Sequence, residues 1–443
     1  MNRPRHRKVP SGRLSRLASF GQLAGGIAGG VLSEGVRRLA SGERPQLSDL
    51  VLTPGNARRT VAQLSRLRGA AMKLGQMLSL DAGDLLPAEL TAILAQLRDA
   101  AHFMPPAQLN QVLIGHWGKD WRRQFETFHA TPIAAASIGQ VHRATLPGGR
   151  QLAIKVQYPG VAQSIDADLD NVTTLLRISG LLPETIDIAP MLEEAKRQLH
   201  DEADYEREAN QMRRYREMLA GNPAFVIPEP VSELSGPKVL AMDFVSGKPI
   251  EALAGEPQDK REHAMAALFE LVLRELFEFG FMQTDPNFAN FRWQHETGRI
   301  VLLDFGAARA IDVRTVHAYR DLMRAGLAQD RDGIRKALLA TGFISEIIVN
   351  RHRNALDQMI DTMVGHLGKP GLFDFADRSF VENMRAHGNA IAADRSAWHL
   401  PPAETLFVQR KVSGTAMLAI RSKVKLPLRD MVERAVDSRS EHS

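Results

Sequence analysis

The run Gln283-Thr284-Asp285-Pro286-Asn287-Phe288-Ala289-Asn290 is followed closely by Leu303-Asp304-Phe305-Gly306. Together they set an Asp, an Asn five positions later and a second Asp in an order suited to phosphoryl transfer. A nucleoside triphosphate carries several negative charges, and magnesium, a hard cation, takes oxygen ligands from one or two carboxylates and from the phosphates themselves. Asn290 and Asp304 would supply such oxygens, and Asp285 would orient, or take a proton from, the oxygen that attacks the γ-phosphate. Two carboxylates about 4 Å apart repel by roughly 4 kcal/mol at an effective dielectric of ~20, so a fold that gathers them expects a cation. ATP and Mg2+ are therefore the expected cofactors.

The same order marks the catalytic loop and Asp-Phe-Gly turn of protein kinases. Each fragment alone is a weak signal; in sequence they reinforce one another. Upstream, Leu152-Ala153-Ile154-Lys155-Val156 reads as an apolar strand with a central Lys, behind a Pro147-Gly148-Gly149 turn. A Lys in a buried strand needs a partner, and kinase chemistry offers ATP phosphates and a Glu on the next long helix. That Glu is expected to be Glu208. Residues 191 to about 219 contain no Pro or Gly and are rich in Glu, Ala, Arg and Leu, which predicts one long helix. Asp204 and Glu208, four apart, would share a face, whereas Glu202 would point elsewhere. Without Lys155, this acidic group would read as a solvated helix face.

A protein kinase covers the phosphates with a Gly-rich loop. Here the stretch before the Lys strand is Ala134-Ala135-Ala136-Ser137-Ile138-Gly139-Gln140-Val141. A loop of alanines is stiffer and keeps Cβ atoms over the nucleotide, so Ala135, Ala136 and Ser137 should handle it differently from a glycine loop.

The Ala-rich loop, Ala153-Ile154-Lys155-Val156-Gln157-Tyr158-Pro159-Gly160, the stretch Asp201-Glu202-Ala203-Asp204-Tyr205-Glu206-Arg207-Glu208-Ala209-Asn210, the Gln-Thr-Asp-Pro-Asn loop and Leu-Leu-Asp-Phe-Gly together resemble the UbiB/AarF-domain family of atypical kinases. The resemblance runs from about residue 60 to beyond residue 400. It is most similar to the branch of mitochondrial coenzyme Q kinase-like proteins, because Gln-Thr-Asp-Pro-Asn-Phe stands where other branches have a His-containing loop. The resemblance implies an α+β, two-lobed protein-kinase-like fold with an N-terminal helical extension packed across the active site. It also implies a role in coenzyme Q (ubiquinone) biosynthesis, with biosynthetic proteins and a lipid or quinone precursor among the partners. Its Lys-x-Gly-Gln motif falls here at Lys73-Leu74-Gly75-Gln76. Periodicity puts Lys73 and Gln76 on one side of a helix, opposite Ala71, Leu74 and Leu78; that side is either solvated or a second contact surface. The resemblance implies that it crosses the cleft, Lys73 reaching towards the Glu202-x-Asp204 pair and leaving little room for a protein substrate.

The chain has 443 residues, no Cys and a formal net charge of +5. A disulfide framework and thiolate metal sites are thereby excluded. Arg3, Arg5, Arg7, Lys8, Arg13 and Arg16 contribute six positive charges before any acid occurs, so the remainder carries about −1. The basic balance belongs to that stretch and does not argue for nucleic-acid binding by the body. It leads into glycines at 21, 25 and 29, the every-fourth spacing of close helix packing. The apolar run is short of the roughly twenty residues a bilayer span needs, which favours a surface-lying or self-associating segment and makes a homodimer one expectation. The Arg-rich start also resembles a mitochondrial transit peptide. A cytoplasmic location, peripheral at the inner membrane, is the expectation for a bacterial chain, and a mitochondrial one for a eukaryotic chain. The polar end from Arg429 to Ser443 suggests no membrane anchor.

The elements that must position the chemistry divide as a basic, Gly-rich lead-in (1–55), a helical extension (56–120), a small lobe (121–245) and a helical lobe (246–443). A strand from Val239 to Met242 leads into Asp243-Phe244-Val245, where the adenine would meet the backbone of Met242, Asp243 and Val245. Residues 264–279 read as a core helix below the catalytic loop. No Ala-Pro-Glu motif follows Asp304, which argues against peptide docking and phosphorylation control. The reading is an atypical kinase or ATPase with Asp285, Lys155 and Glu208 catalytic and Asn290 and Asp304 on the metal. A nucleotide-gated scaffold is the alternative, and an ordinary Ser/Thr kinase comes third.

Overall fold

The computed structural model describes residues 103–178, 189–285, 287–368, 370–394 and 401–437. The first 102 residues, and with them Lys73, Gln76 and the 56–102 part of the expected extension, lie outside the described residues, as does Pro286. The described chain is mixed α+β and divides into two compact units. One holds the chain up to Asn210 together with Glu229–Phe244; the other holds Gln211–Pro228 and everything from Val245 onward.

The first unit starts with α1 (Pro106–Trp117), opened by a Pro in its first turn, where a missing N–H costs nothing. Short strands β1 (Thr127–Phe128) and β2 (Ala134–Ala135) precede the hairpin of β3 (Gly139–Thr145) and β4 (Gln151–Gln157). The hairpin turns at Gly148 and Gly149, whose φ of +94 and +86 suits residues without a Cβ. Alternation then sorts β4: Leu152, Ile154 and Val156 join Leu109 and Leu113 of α1 and Trp121 in one hydrophobic core, and Lys155 faces the other side. Residues 106–117, assigned by sequence to the extension, thus belong to the core of this unit. Helices α2 (Ile165–Ile178), α3 (Ala189–Ala203) and α4 (Tyr205–Met218) follow.

The long helix expected over residues 191–219 is two helices. Asp204 lies between them, and its Oδ1 accepts the backbone N–H of Arg207 at 2.9 Å as the cap of α4. A capping Asp cannot also project from a continuous helical face, so the expected Asp204/Glu208 face is replaced by a cap and a buried Glu208.

The division between units falls within α4. The second unit takes β5 (Phe225–Val226), after which the chain returns to the first for β6 (Val239–Asp243). The sheet of the first unit is antiparallel, ordered β1-β3-β4-β6 with β2 beside β3. The second unit continues with β7 (Lys248–Pro249), α5 (Gln258–Phe277), β8 (Phe281–Gln283), β9 (Phe291–Gln294), β10 (Arg299–Leu302) and β11 (Ala308–Ala310). Strands β5-β10-β9-β7 form one sheet and β8-β11 a separate pair. Helices α6 (Val313–Leu327), α7 (Arg331–Ala340), α8 (Glu346–Arg351) and α9 (Arg353–Leu367), strand β12 (Phe373–Asp374), α10 (Ser379–Ala393), α11 (Ala403–Ser422), β13 (Lys425–Leu426) and α12 (Leu428–Asp437) complete it. Val272, Leu276 and Phe277 of α5 pack with Met282, Ile311, Tyr319 and Val408. Among the described residues no helix is long and apolar enough to cross a membrane.

Candidate active site

Each unit carries one group of polar residues that the sequence singles out. In the first, β4 lies between β3 and β6, with Val141 and Leu240 as the cross-strand partners of Lys155. The ammonium of Lys155 donates to both carboxylate oxygens of Glu208, at 2.9 and 2.8 Å, and lies 5.1 Å from the centre of the Tyr205 ring. Glu208 is fully buried. Placing α4 against this face of the sheet satisfies both charges where water cannot.

The Ala-rich turn runs from β2 to β3. Ala135 pairs with Gln140, and Ala136 N–H donates to the carbonyl of Gly139 at 2.9 Å, which closes the turn tightly. The Ser137 hydroxyl donates to Glu202 Oε2 at 2.5 Å. The acidic residue that periodicity left unplaced therefore sits on the Ala-rich turn. Gly139 is required for packing: a Cβ there would stand 2.5 Å from the carbonyl oxygen of Val156 and 2.7 Å from the Tyr205 hydroxyl. At the far edge of the sheet, Met242 pairs with Ala153 and Asp243 with Leu152. Asp243 N–H donates to the Glu229 carbonyl and Phe244 N–H to that of Gln151, while Arg150 donates to the Asp243 carboxylate at 2.8 Å. Val245 is half-buried and opens the second unit.

In the second unit two ladders deliver the residues of the Asp285–Asn290 loop. The β8-β11 pair sets Gln283 opposite Ala308, and Thr284 then donates its hydroxyl to the Ala307 carbonyl at 2.9 Å. Asp285 follows directly. The β9-β10 hairpin sets Phe291 opposite Leu302, so Asn290 and Leu303 leave it at the same end, joined by a hydrogen bond from Leu303 N–H to the Asn290 carbonyl at 2.9 Å. The Asn290 amide donates to Asp285 Oδ2 at 3.3 Å. Asp304 Oδ1 accepts the N–H of Gly306 at 3.0 Å, which bends the chain into β11, and the Gln283 amide donates to the Asp304 carbonyl at 3.3 Å. The five-residue spacing read from sequence is thus a hydrogen bond, and the later Asp is tied to the same loop through two backbone carbonyls.

Behind this loop lies a polar group that sequence reasoning missed. Glu275 of α5 is fully buried, and its Oε1 accepts from the Tyr215 hydroxyl at 2.8 Å, the Gln283 N–H at 3.3 Å and the Lys411 ammonium at 3.3 Å. Burial first, then the Glu275 charge, pushes the Tyr215 phenol well above its ordinary range and holds it as a donor. The signal available in sequence was three acids, Glu270, Glu275 and Glu278, within the apolar stretch 264–279, of which spacing does not say which is buried.

Residues 96–338 match the model of the ABC1 atypical kinase-like domain. The chain is 36% identical over 433 residues to the mitochondrial atypical kinase COQ8B of Danio rerio, covering 97% of this chain and 69% of that protein. It is 38% identical over 442 residues to the mitochondrial atypical kinase COQ8B of Rattus norvegicus, with 98% and 82% covered. It is 34% identical over 417 residues to the mitochondrial atypical kinase COQ8 of Saccharomyces cerevisiae, with 93% and 82% covered. Among solved structures, the Rv3197–erythromycin complex from Mycobacterium tuberculosis aligns with a TM-score of 0.60 at 26% identity, over 84% of this chain and 93% of that one. With a buried Lys–Glu pair, a hydrogen-bonded Asp–Asn loop and an Asp-Phe-Gly turn on a protein-kinase-like α+β fold, the chain belongs to the ABC1 atypical kinase-like family, the UbiB family of ATP-binding phosphotransferases.

Proposed function

We propose that the chain binds ATP with magnesium and transfers or hydrolyses its γ-phosphate in support of coenzyme Q (ubiquinone) biosynthesis. It is an ATP-binding atypical kinase of that biosynthesis, as its COQ8 relatives support. The observation that carries the reading is the bidentate pair of Lys155 and Glu208, buried and made across 53 positions. A salt bridge of that kind is a poor source of stability against apolar replacements, and its expense is understandable where a lysine must be held to meet phosphate.

The donor set suits a hard cation. Asp285 and Asp304 offer carboxylate oxygens, and the Asn290 amide, which gives its N–H to Asp285, keeps its carbonyl oxygen for another partner. Asn290 and Asp304 would hold magnesium, which when bound neutralises developing charge on the phosphates. Asp285 orients the attacking oxygen and receives its proton, and Asn290 fixes the orientation of that carboxylate. Ala135, Ala136 and Ser137 shape the phosphate end, with Glu202 setting the Ser137 hydroxyl. Met242, Asp243 and Val245 receive the adenine edge, and Lys73, Gln76 and Asp204 restrict protein substrates. Lys155 and Glu208 make one catalytic pair. The partners are a lipid or quinone precursor, a membrane surface and proteins of the same biosynthesis, with the glycine-spaced segment able to join two copies. The location follows from these: the inner face of a bacterial membrane or its mitochondrial equivalent.

The test is magnesium-dependent ATP binding by calorimetry for wild type and Asp304→Asn. Losing one carboxylate should weaken binding in magnesium by about tenfold or more and have little effect in EDTA. Equal affinities in magnesium would refute the metal assignment.

A further inference from the structure

Lys411 stands on α11, well beyond the matched domain at residues 96–338. Its ammonium lies 3.0 Å from Glu275 Oε2 and 3.3 Å from Oε1, both side chains being almost wholly buried. Three donors meet at Oε1: the Tyr215 hydroxyl, Lys411 and the backbone N–H of Gln283. Gln283 is the last residue of β8, its amide holds the Asp304 carbonyl, and Asp285 is two positions on. Gln283, Asn290, Asp304, Glu275, Tyr215 and Lys411 line one small cavity.

We propose that Lys411, acting through Glu275, is a positioning residue that fixes the end of β8 and thereby the Asp285–Asn290 loop and the Asp304 turn. The Glu275 carboxylate, paired with the Lys411 ammonium at 3.0 Å, accepts the Gln283 N–H, and Lys411 supplies the buried partner without which that carboxylate would be left uncompensated. Helix α11 thus completes the Asp285–Asn290 loop from outside the matched domain. The part of the inference that concerns rate rests on the phosphotransfer reading above; the part that concerns position does not.

Two readouts on the full chain separate these. In Lys411→Met, amide exchange followed by mass spectrometry should quicken at Gln283 by about tenfold or more, with residues 291–302 of the adjoining hairpin changing by less than about threefold. Release of phosphate from ATP should fall in kcat by roughly tenfold to a hundredfold, with KM for ATP within about threefold, because the loop is displaced and the nucleotide contacts are kept. Glu275→Gln/Lys411→Met removes both charges at similar volume, so it covers the case in which the single variant does not fold. It should melt near wild type and still exchange faster at Gln283. Unchanged exchange at Gln283 in a folded variant, or acceleration spread evenly over 291–302, would overturn the proposal. Local acceleration in a protein whose wild type releases no phosphate would uphold the positioning and overturn the phosphotransfer reading alone.

Discussion

Lys155 and Glu208 show how little a single residue type means without its partner. Charge burial of this quality costs several kcal/mol per ion before pairing, and the bidentate contact at 2.8 and 2.9 Å offsets it. Removing one member leaves the other stranded. Lys155→Met should therefore lower unfolding free energy by about 3–5 kcal/mol, while Lys155→Met/Glu208→Gln should recover most of it without recovering ATP binding. Urea denaturation of the three proteins measures the first claim, and a double variant as unstable as the single one would contradict it. His142 gives a second residue-scale prediction. Its Nδ1 meets the His129 carbonyl at 2.9 Å and its Nε2 meets the Gln140 amide at 2.9 Å, so the ring must donate at one nitrogen and accept at the other. Burial pulls its pKa from 6.5 down to about 4, against the smaller upward pull of the carbonyl. A proton then binds the unfolded chain before the folded one. Stability from this group is fully present above pH 6.5 and is lost as pH falls towards 4, by about 3 kcal/mol in all. His142→Gln should flatten that part of the urea-midpoint profile between pH 7 and 4.5, and parallel profiles for the two proteins would disprove the assignment.

At the scale of elements, the legible parts were those fixed by local spacing. The Asp285–Asn290 separation of five, the Asp-Phe-Gly turn and the central Lys of a strand each lie within one ladder or turn, and their hydrogen bonds follow from it. The glycine turn at Gly148 and Gly149 and the apolar course of α5 were legible for the same reason. The illegible parts depend on chain separation or on a choice between two local rules. The side-chain donors to Glu275 come from 60 and 136 positions away, which no periodicity encodes. At Asp204 helix propensity and capping compete, and the cap wins because tertiary packing turns α4 towards Lys155. Its acidic first turn, Glu206 and Glu208, was the available sign of a helix start. Asp204→Ala should cost about 1 kcal/mol through the lost cap. Gly139→Ala should cost more, about 1–3 kcal/mol, because the strand hairpin must yield to a Cβ that meets a backbone oxygen. Thermal unfolding ranks the two, and an Ala at 139 milder than one at 204 would mean that the close approach of β3 to β4 is soft.

For the whole molecule, the proposed phosphotransfer chemistry and the proposed membrane contact draw on different charges. The six basic residues before position 17 account for more than the net +5, and the rest of the chain is near neutral at about −1. Contact with an anionic membrane would therefore depend on residues outside the described ones, while ATP handling would depend on Lys155, Asp285 and Asp304. The two functions should be separable by mutation. Each Lys or Arg near an anionic surface contributes about 1 kcal/mol, so Arg3→Gln/Arg5→Gln/Arg7→Gln should reduce partition onto phosphatidylserine vesicles by about a hundredfold. Raising salt from 0.1 to 1 M shortens the screening length from about 10 to 3 Å and should erase most of the difference between the two proteins. Magnesium-ATP affinity in solution should be the same for both. Equal sedimentation of wild type and triple variant with such vesicles at low salt would show that the basic stretch is not what meets the membrane, and an altered ATP affinity would show that it reaches the nucleotide.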